Sequence, residues 1–228
     1  YGIPVKFVGH PLAHQFSETP DSAKARARLI LPLNNPITAI LPGSRMSEIE
    51  AMADIYMQSA TKLHQIYPDM IFVVPCVHQR AKQRIEEAVA KFAPNIDVRL
   101  FDQQSREVLE ACDQVIVTSG TATLECALMK RPMVLAIKIH PISYWIMKRL
   151  ATTQWIGLPN ILAGKSIVTE LIQENATSEK IAFHVGRLII DKATRSLQVN
   201  EFQEQHQSLK QNASELAADA IQKWAGLL

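Results

Sequence analysis

The stretch Val115-Ile116-Val117-Thr118-Ser119-Gly120-Thr121-Ala122-Thr123-Leu124-Glu125 decides how this chain is read. Its first three residues are β-branched with no polar break, the composition of a strand covered on both faces. A loop of small hydroxyl residues follows, and then the first turn of a helix. Gly120 can take backbone angles that other residues resist, and it lets a ligand approach the main chain. Free N–H groups at a helix start carry partial positive charge, so a loop of this kind suits a phosphate. Glu125 falls one turn into the helix, where its carboxylate can accept hydrogen bonds from a ribose diol.

A second corner of the same kind lies upstream. Thr38-Ala39-Ile40-Leu41-Pro42 reads as a strand and Gly43-Ser44-Arg45 as the turn after it. Ser47 and Glu50 have capping-box spacing, which predicts the start of the next helix. The guanidinium of Arg45, at the end of a strand, can clamp a diphosphate through two hydrogen bonds and offset charge on a leaving group. Its alternative role is a surface ion pair with Glu48. Together the two corners predict a split site for an anionic ligand.

Outward from these corners, strands are predicted at about 37–41, 70–74, 98–101, 114–118 and 133–139, with helices at about 47–66, 78–92, 104–111, 121–130 and 178–190. The helix at 47–66 places Ile49, Met52, Tyr56, Ser59, Leu63 and Ile66 on one face. Strand and helix alternate through short loops, which predicts an α/β fold with a doubly wound, Rossmann-like parallel sheet. Ligands of such sheets sit at the carboxyl ends of the strands, where both corners lie. The expected organisation is a last strand and turn of a preceding domain at 1–16, a linker at 17–36, a nucleotide-binding domain at 37–192 and a C-terminal helix at 193–228. The first piece rests on the strand-like run Val5 to Val8, which follows a start at Tyr1. The linker is polar, helical from Ala23 to Leu29, and broken by Pro20, Pro32 and Pro36. The tail reads as one helix with Phe202, Leu209, Ala213, Leu216, Ala220 and Trp224 on a stripe, expected to pack on a neighbour. Residues 142–151 form an apolar, aromatic and basic helix that either lies on a membrane surface or packs as a buried helix with two solvated charges.

Composition excludes several classes. A net charge of +2 over 228 residues gives no electrostatic case for nucleic acid. Cys76, Cys112 and Cys126 form no C-x-x-C pair and sit in apolar surroundings, so buried free thiols are expected. No metal ligand set is expected, since no His/Cys cluster has metal spacing, and there is no Asp-x-Asp, no G-x-S-x-G elbow and no Walker lysine motif. Of seven His, His10 and His140 stand in turns beside Pro, with a functional role or a turn-stabilising hydrogen bond open for His10.

Several segments, in one order, resemble the lipid-A-disaccharide synthase family: Val8-Gly9-His10-Pro11-Leu12, Leu41-Pro42-Gly43-Ser44-Arg45 with Glu48, Ser119 to Glu125, Pro132-Met133-Val134, Leu158-Pro159-Asn160-Ile161-Leu162-Ala163-Gly164 and Glu170-Leu171-Ile172-Gln173. The resemblance implies the C-terminal, donor-binding half of a GT-B glycosyltransferase. It implies an inverting hexosyltransferase that moves 2,3-diacylglucosamine from UDP to 2,3-diacylglucosamine 1-phosphate (lipid X), making the β-1,6 disaccharide precursor of lipid A. It further implies a cytoplasmic enzyme peripheral to the inner membrane of a Gram-negative bacterium, a homodimer, working without metal or cofactor. On this chain, Gly43, Ser44, Arg45, Ser119, Gly120, Thr121, Ala122 and Thr123 would hold the diphosphate, with Arg45 stabilising the leaving group. Glu125 would hold the ribose, and Asn160, Glu170 and Gln173 would line the donor side. The acceptor groove and general base would belong to a domain before Tyr1. Ile139-His140 and Thr169 depart from the family pattern. Two other functions share the loop chemistry: a UDP-N-acetylglucosamine epimerase-like enzyme and a non-catalytic nucleotide-binding module.

Overall fold

The computed structural model describes residues 5–118, 120–140, 144, 149 and 153–225. Among these, six strands form one parallel sheet: β1 (Ile37–Leu41), β2 (Ile71–Cys76), β3 (Val98–Asp102), β4 (Gln114–Val117), β5 (Met133–Ile137) and β6 (Thr169–Ile172). Their spatial order is β3-β2-β1-β4-β5-β6. Ala39 stands opposite Val73 on one side and Val115 on the other. The winding therefore reverses between β1 and β4, which opens a crevice beyond the carboxyl ends of those two strands.

The sheet is buried on both faces: its central strands are apolar but for Thr38 and Gln114, which are buried and satisfy each other at 2.8 Å. Ala39, Leu41, Val115 and Val117 face one layer, made by α1 (Ser22–Arg28), α4 (Ser105–Ala111), α5 (Thr121–Leu128), α6 (Leu158–Ala163) and α8 (Lys192–Leu209). Ile40, Phe72, Val74 and Ile116 face the other, made by α2 (Met46–Ile66), α3 (Gln79–Phe92) and α7 (Ser178–Ile190). Burying each such side chain contributes roughly 1.5–3 kcal/mol, which makes these two layers the main source of stability. The expected face of α2 is buried from Ile49 to Leu63, but Ile66, on the last turn, is exposed.

The segment at 17–36 packs closely on the domain. Arg26, buried in α1, donates to the carbonyls of Ala111, Leu33 and Asn35 and pairs with Asp113 at 2.8 Å. Asp113 also accepts the N–H of Ile37 at 2.8 Å, so this ion pair ties α1 to the first residue of β1.

Three expectations are corrected. Residues 5–8 form no strand; Val5 is 87% exposed and pairs with no sheet edge. The tail is two helices, α8 and α9 (Ala213–Trp224), with Lys210 to Asn212 between them. The break arises because the chain at 9–14 claims this turn: His10 donates its N–H to the Leu209 carbonyl at 2.9 Å, and His14 Nε2 meets the Gln211 carbonyl at 2.7 Å. Phe202 and Leu209 of the expected stripe are buried in the domain's own core, whereas Trp224 is exposed. β6 (Thr169–Ile172) is a further strand, beyond the five that the sequence pattern predicts. Of the expected helix at 142–151, Tyr144 and Arg149 are helical and the rest lies outside the described residues. His10 takes the turn-stabilising role, its Nδ1 accepting the Leu12 N–H at 3.2 Å.

Candidate functional site

The two glycine corners are tied directly to each other. The carbonyl of Leu41, the last residue of β1, accepts both the N–H and the hydroxyl of Thr118, each at 3.1 Å. Tyr56, buried on α2, meets the same hydroxyl at 2.9 Å and donates to the Ala136 carbonyl at 2.7 Å. A backbone group at the end of β1 thus fixes the end of β4, and the loops that follow open on one cleft. That cleft has a volume of about 540 Å³. This falls within the few-hundred to ~1,000 Å³ range of pockets that enclose a small organic ligand. Gly43, Ser44, Arg45 and Glu48 line one side, and Gly120, Thr121, Ala122 and Glu125 the other. Gln103 and Ser105, after β3, close a third.

The first corner is shaped by Glu48. One of its oxygens, Oε2, accepts the N–H groups of Ser44 at 3.1 Å and Arg45 at 3.3 Å; the other, Oε1, accepts from Arg45 Nη1 at 3.1 Å. The expected cap was Ser47 with Glu50. The helix instead starts two residues earlier, with Arg45 as its N-cap residue, and Glu50 pairs with Arg84 at 2.8 Å. Gly43 has φ of +102°, and a Cβ there would stand 2.3 Å from Glu48 Oε2. Only a residue without a side chain lets the carboxylate come down onto the turn.

The second corner is open. Gly120 has φ of +75° and ψ of −150° and serves as the N-cap of α5. A Cβ at this position would meet nothing within 4 Å. Beyond it, the Thr123 N–H donates to the Gly120 carbonyl at 3.2 Å, whereas the N–H groups of Thr121 and Ala122, residues that line the cleft, take no partner inside the helix and stand at the positive end of its dipole. Thr123 belongs to the frame: buried, it donates its hydroxyl to the Gly120 carbonyl at 2.9 Å and accepts the Leu158 N–H at 3.2 Å. Glu125 lines the cleft, and its carboxylate meets no hydrogen-bond donor among the described residues. Burial pushes its pKa above the ordinary carboxylate value, and the nearby Arg106 guanidinium opposes this.

Asn160, Glu170 and Gln173 lie apart from the residues that line the cleft, and their polar atoms hold backbone. Asn160, fully buried, donates to the Val168 carbonyl and to Glu170, and accepts the N–H groups of Ile167 and Val168 at 2.8 Å. Glu170 accepts the N–H groups of Ile156 at 2.8 Å and Gly157 at 3.0 Å. Gln173 exchanges two bonds with the backbone of Ile139, at 2.8 and 2.9 Å. Ser119 lies outside the described residues. Sequence reasoning left Glu48, Gln103, Ser105 and Thr118 out of the site. For Glu48 the signal was present, three residues after an N-cap. For Gln103 and Ser105, only the placement of β3 in the sheet brings them to the cleft.

Comparison with known proteins bears on the family and the fold. The family model described as lipid-A-disaccharide synthetase matches residues 1–222. The lipid-A-disaccharide synthase of Hydrogenovibrio crunogenus is 61% identical over 227 residues, covering all of this chain and 60% of that protein. That of Hahella chejuensis is 42% identical over 221 residues, covering 97% of this chain and 56% of that protein. The chain thus spans about three-fifths of the length of the curated relatives it matches. Among solved structures, the C-terminal domain of a group 1 glycosyl transferase from Francisella tularensis has a TM-score of 0.60 at 14% identity, covering 88% of this chain and 98% of that one. A UDP-GlcNAc 2-epimerase from Neisseria meningitidis, bound to UDP-GlcNAc, has a TM-score of 0.60 at 15% identity, covering 88% of this chain and 48% of that one. At such identities the two structures establish a shared Rossmann-like fold and nothing narrower. The sequence matches run through both glycine corners and the Asn160–Glu170 brace alike, and on them this chain belongs to the lipid-A-disaccharide synthase family.

Proposed function

We propose that this chain is the UDP-sugar-binding portion of a glycosyltransferase that moves 2,3-diacylglucosamine from UDP to 2,3-diacylglucosamine 1-phosphate, releasing UDP and forming the β-1,6 lipid A disaccharide 1-phosphate. The observation that carries this reading is the meeting of Arg45 with the start of α5 across one cleft at the sheet's switch point. In this reading the N–H groups of Thr121 and Ala122 take the phosphate oxygens, and Gly120 allows the main chain to approach them. Gly43 and Ser44 shape the opposite wall, and Arg45 offsets the charge that gathers on the diphosphate as the glycosidic bond breaks. Glu125 accepts from the ribose hydroxyls. Thr123, Asn160, Glu170 and Gln173 act by holding the donor side in shape. A nucleotide-sugar ligand is consistent with the UDP-GlcNAc found in the Neisseria relative of the fold.

The acceptor site and general base are assigned to the part of the relatives that this chain does not span. Work on acylated sugars also calls for a membrane surface, and the reading takes the whole enzyme as a homodimer peripheral to the cytoplasmic side of the inner membrane. No helix among the described residues is long and apolar enough to cross a membrane. Calorimetric titration with UDP tests the site. Arg45→Ala should weaken binding by about 1.5–3 kcal/mol, the range for hydrogen bonds to a charged group. Its 79% exposed side chain means the fold should hardly notice. Equal affinity in mutant and parent would remove Arg45 from the site. Release of free sugar from UDP-N-acetylglucosamine by the whole enzyme would instead indicate epimerase chemistry.

A further inference from the structure

Glu48 is unlike an ordinary surface partner of arginine. Its side chain is 17% exposed, against 79% for Arg45. One oxygen is committed to two backbone N–H groups, and Gly43 lacks the side chain that would block it. The carboxylate is therefore built into the turn and half-buried there. Its second oxygen takes only Nη1 of Arg45. Nε and Nη2 of that guanidinium meet no acceptor among the described residues, and the side chain lines the cleft beside the start of α5. A guanidinium is a rigid planar fork with five donors, so fixing one edge orients the rest. Unheld, an exposed arginine samples many rotamers, and a ligand must order it on binding.

We infer that Glu48 is a positioning residue: its inner oxygen fixes the Gly43–Arg45 turn, and its outer oxygen aims Arg45 so that Nε and Nη2 meet a nucleoside diphosphate. This rests on the donor-site reading above and adds to it the residue that orders the arginine. The same carboxylate would repel a diphosphate if left bare. The guanidinium balances its charge and the two amides solvate it through hydrogen bonds, so the carboxylate serves Arg45 while its repulsion of the ligand is offset.

A double-mutant cycle tests this, with UDP titrated into the parent chain, Glu48→Gln, Arg45→Ala and the double variant. Glutamine keeps the shape and one oxygen for the Ser44 and Arg45 amides but turns an NH2 toward the guanidinium. Glu48→Gln should weaken UDP about tenfold with Arg45 present and not at all in Arg45→Ala, since a positioning effect needs the residue it positions. An equal loss in both backgrounds would reduce Glu48 to a turn support and overturn the inference. So would an unchanged or tighter affinity with Arg45 present. Should Glu48→Gln melt below the assay temperature, Arg45→Lys serves instead. Lysine keeps the ion pair but offers no second edge, so it should lose as much affinity as Arg45→Ala, and parental affinity would overturn the inference. Failure of the parent chain to bind UDP would reject the donor-site reading itself, and with it this inference; the other failures leave that reading standing.

Discussion

The two glycine corners have the same sequence grammar and opposite interiors. At Gly43 the turn is full: the Glu48 carboxylate occupies the space a Cβ would need and takes two backbone N–H groups. At Gly120 nothing stands within 4 Å of the same construction point. Both residues have positive φ, so glycine relieves backbone strain at each. Only at Gly43 does it also make room for a neighbour from its own chain. A strand-to-helix corner can thus satisfy its own N–H groups with an internal anion or leave them for an external one. Here one corner of each kind faces the same cleft, and the filled corner supplies a cation while the open one supplies free amides.

The sharpest way to break this contrast is to add one methyl group at each corner. Gly43→Ala should cost about 4 kcal/mol, combining backbone strain with the displacement of Glu48 from its amides. Urea melts should show it as a large drop in midpoint. Gly120→Ala should cost only the strain, about 2 kcal/mol, yet weaken UDP about tenfold by crowding the approach to the main chain. If both variants melted alike, the difference between a filled and an open corner would have no energetic meaning. Thr123→Val probes what holds the open corner open. It strips the hydroxyl that joins Gly120 to Leu158 and should cost about 1–2 kcal/mol in the same melts.

The smallest effect concerns Glu125, whose burial raises its pKa. An acid with a raised pKa is harder to charge in the folded state than in the unfolded one. Its penalty is absent below the ordinary carboxylate value and grows as pH rises through the raised pKa. Glu125→Gln should therefore leave the free protein as stable or slightly more stable at neutral pH, while weakening UDP, because the amide keeps only one uncharged oxygen to accept from the ribose diol. In the parent chain, UDP affinity should fall as pH drops through that raised pKa, and the mutant should lose this dependence. A stability loss at neutral pH in Glu125→Gln would show that the carboxylate serves the fold.

Most of the sheet is legible in the residues because apolar β-branched runs between amphipathic helices admit few other arrangements. β1 to β5 and their helices follow from that pattern. β6 escapes it, since Thr169-Glu170-Leu171-Ile172 is a short, half-buried edge strand whose Glu170 serves the backbone of the neighbouring loop. The strand expected at Val5 to Val8 does not form for the converse reason: the residues have strand propensity, but among the described residues no partner edge reaches them. Propensity is local, and a strand is completed only by its neighbour.

The sequence alone determined that this chain winds helices on both faces of a parallel sheet and that two glycine turns follow its central strands, because apolar periodicity and glycine placement are properties of neighbouring residues. Tertiary structure alone decided that Leu41 and Thr118 lock those turns together, that Glu48 fills one of them, and that Asn160 and Glu170 spend their polar atoms on backbone and on each other. Each of these depends on groups far apart in the chain or on which of several acceptors an N–H group meets first, and that choice is made by packing.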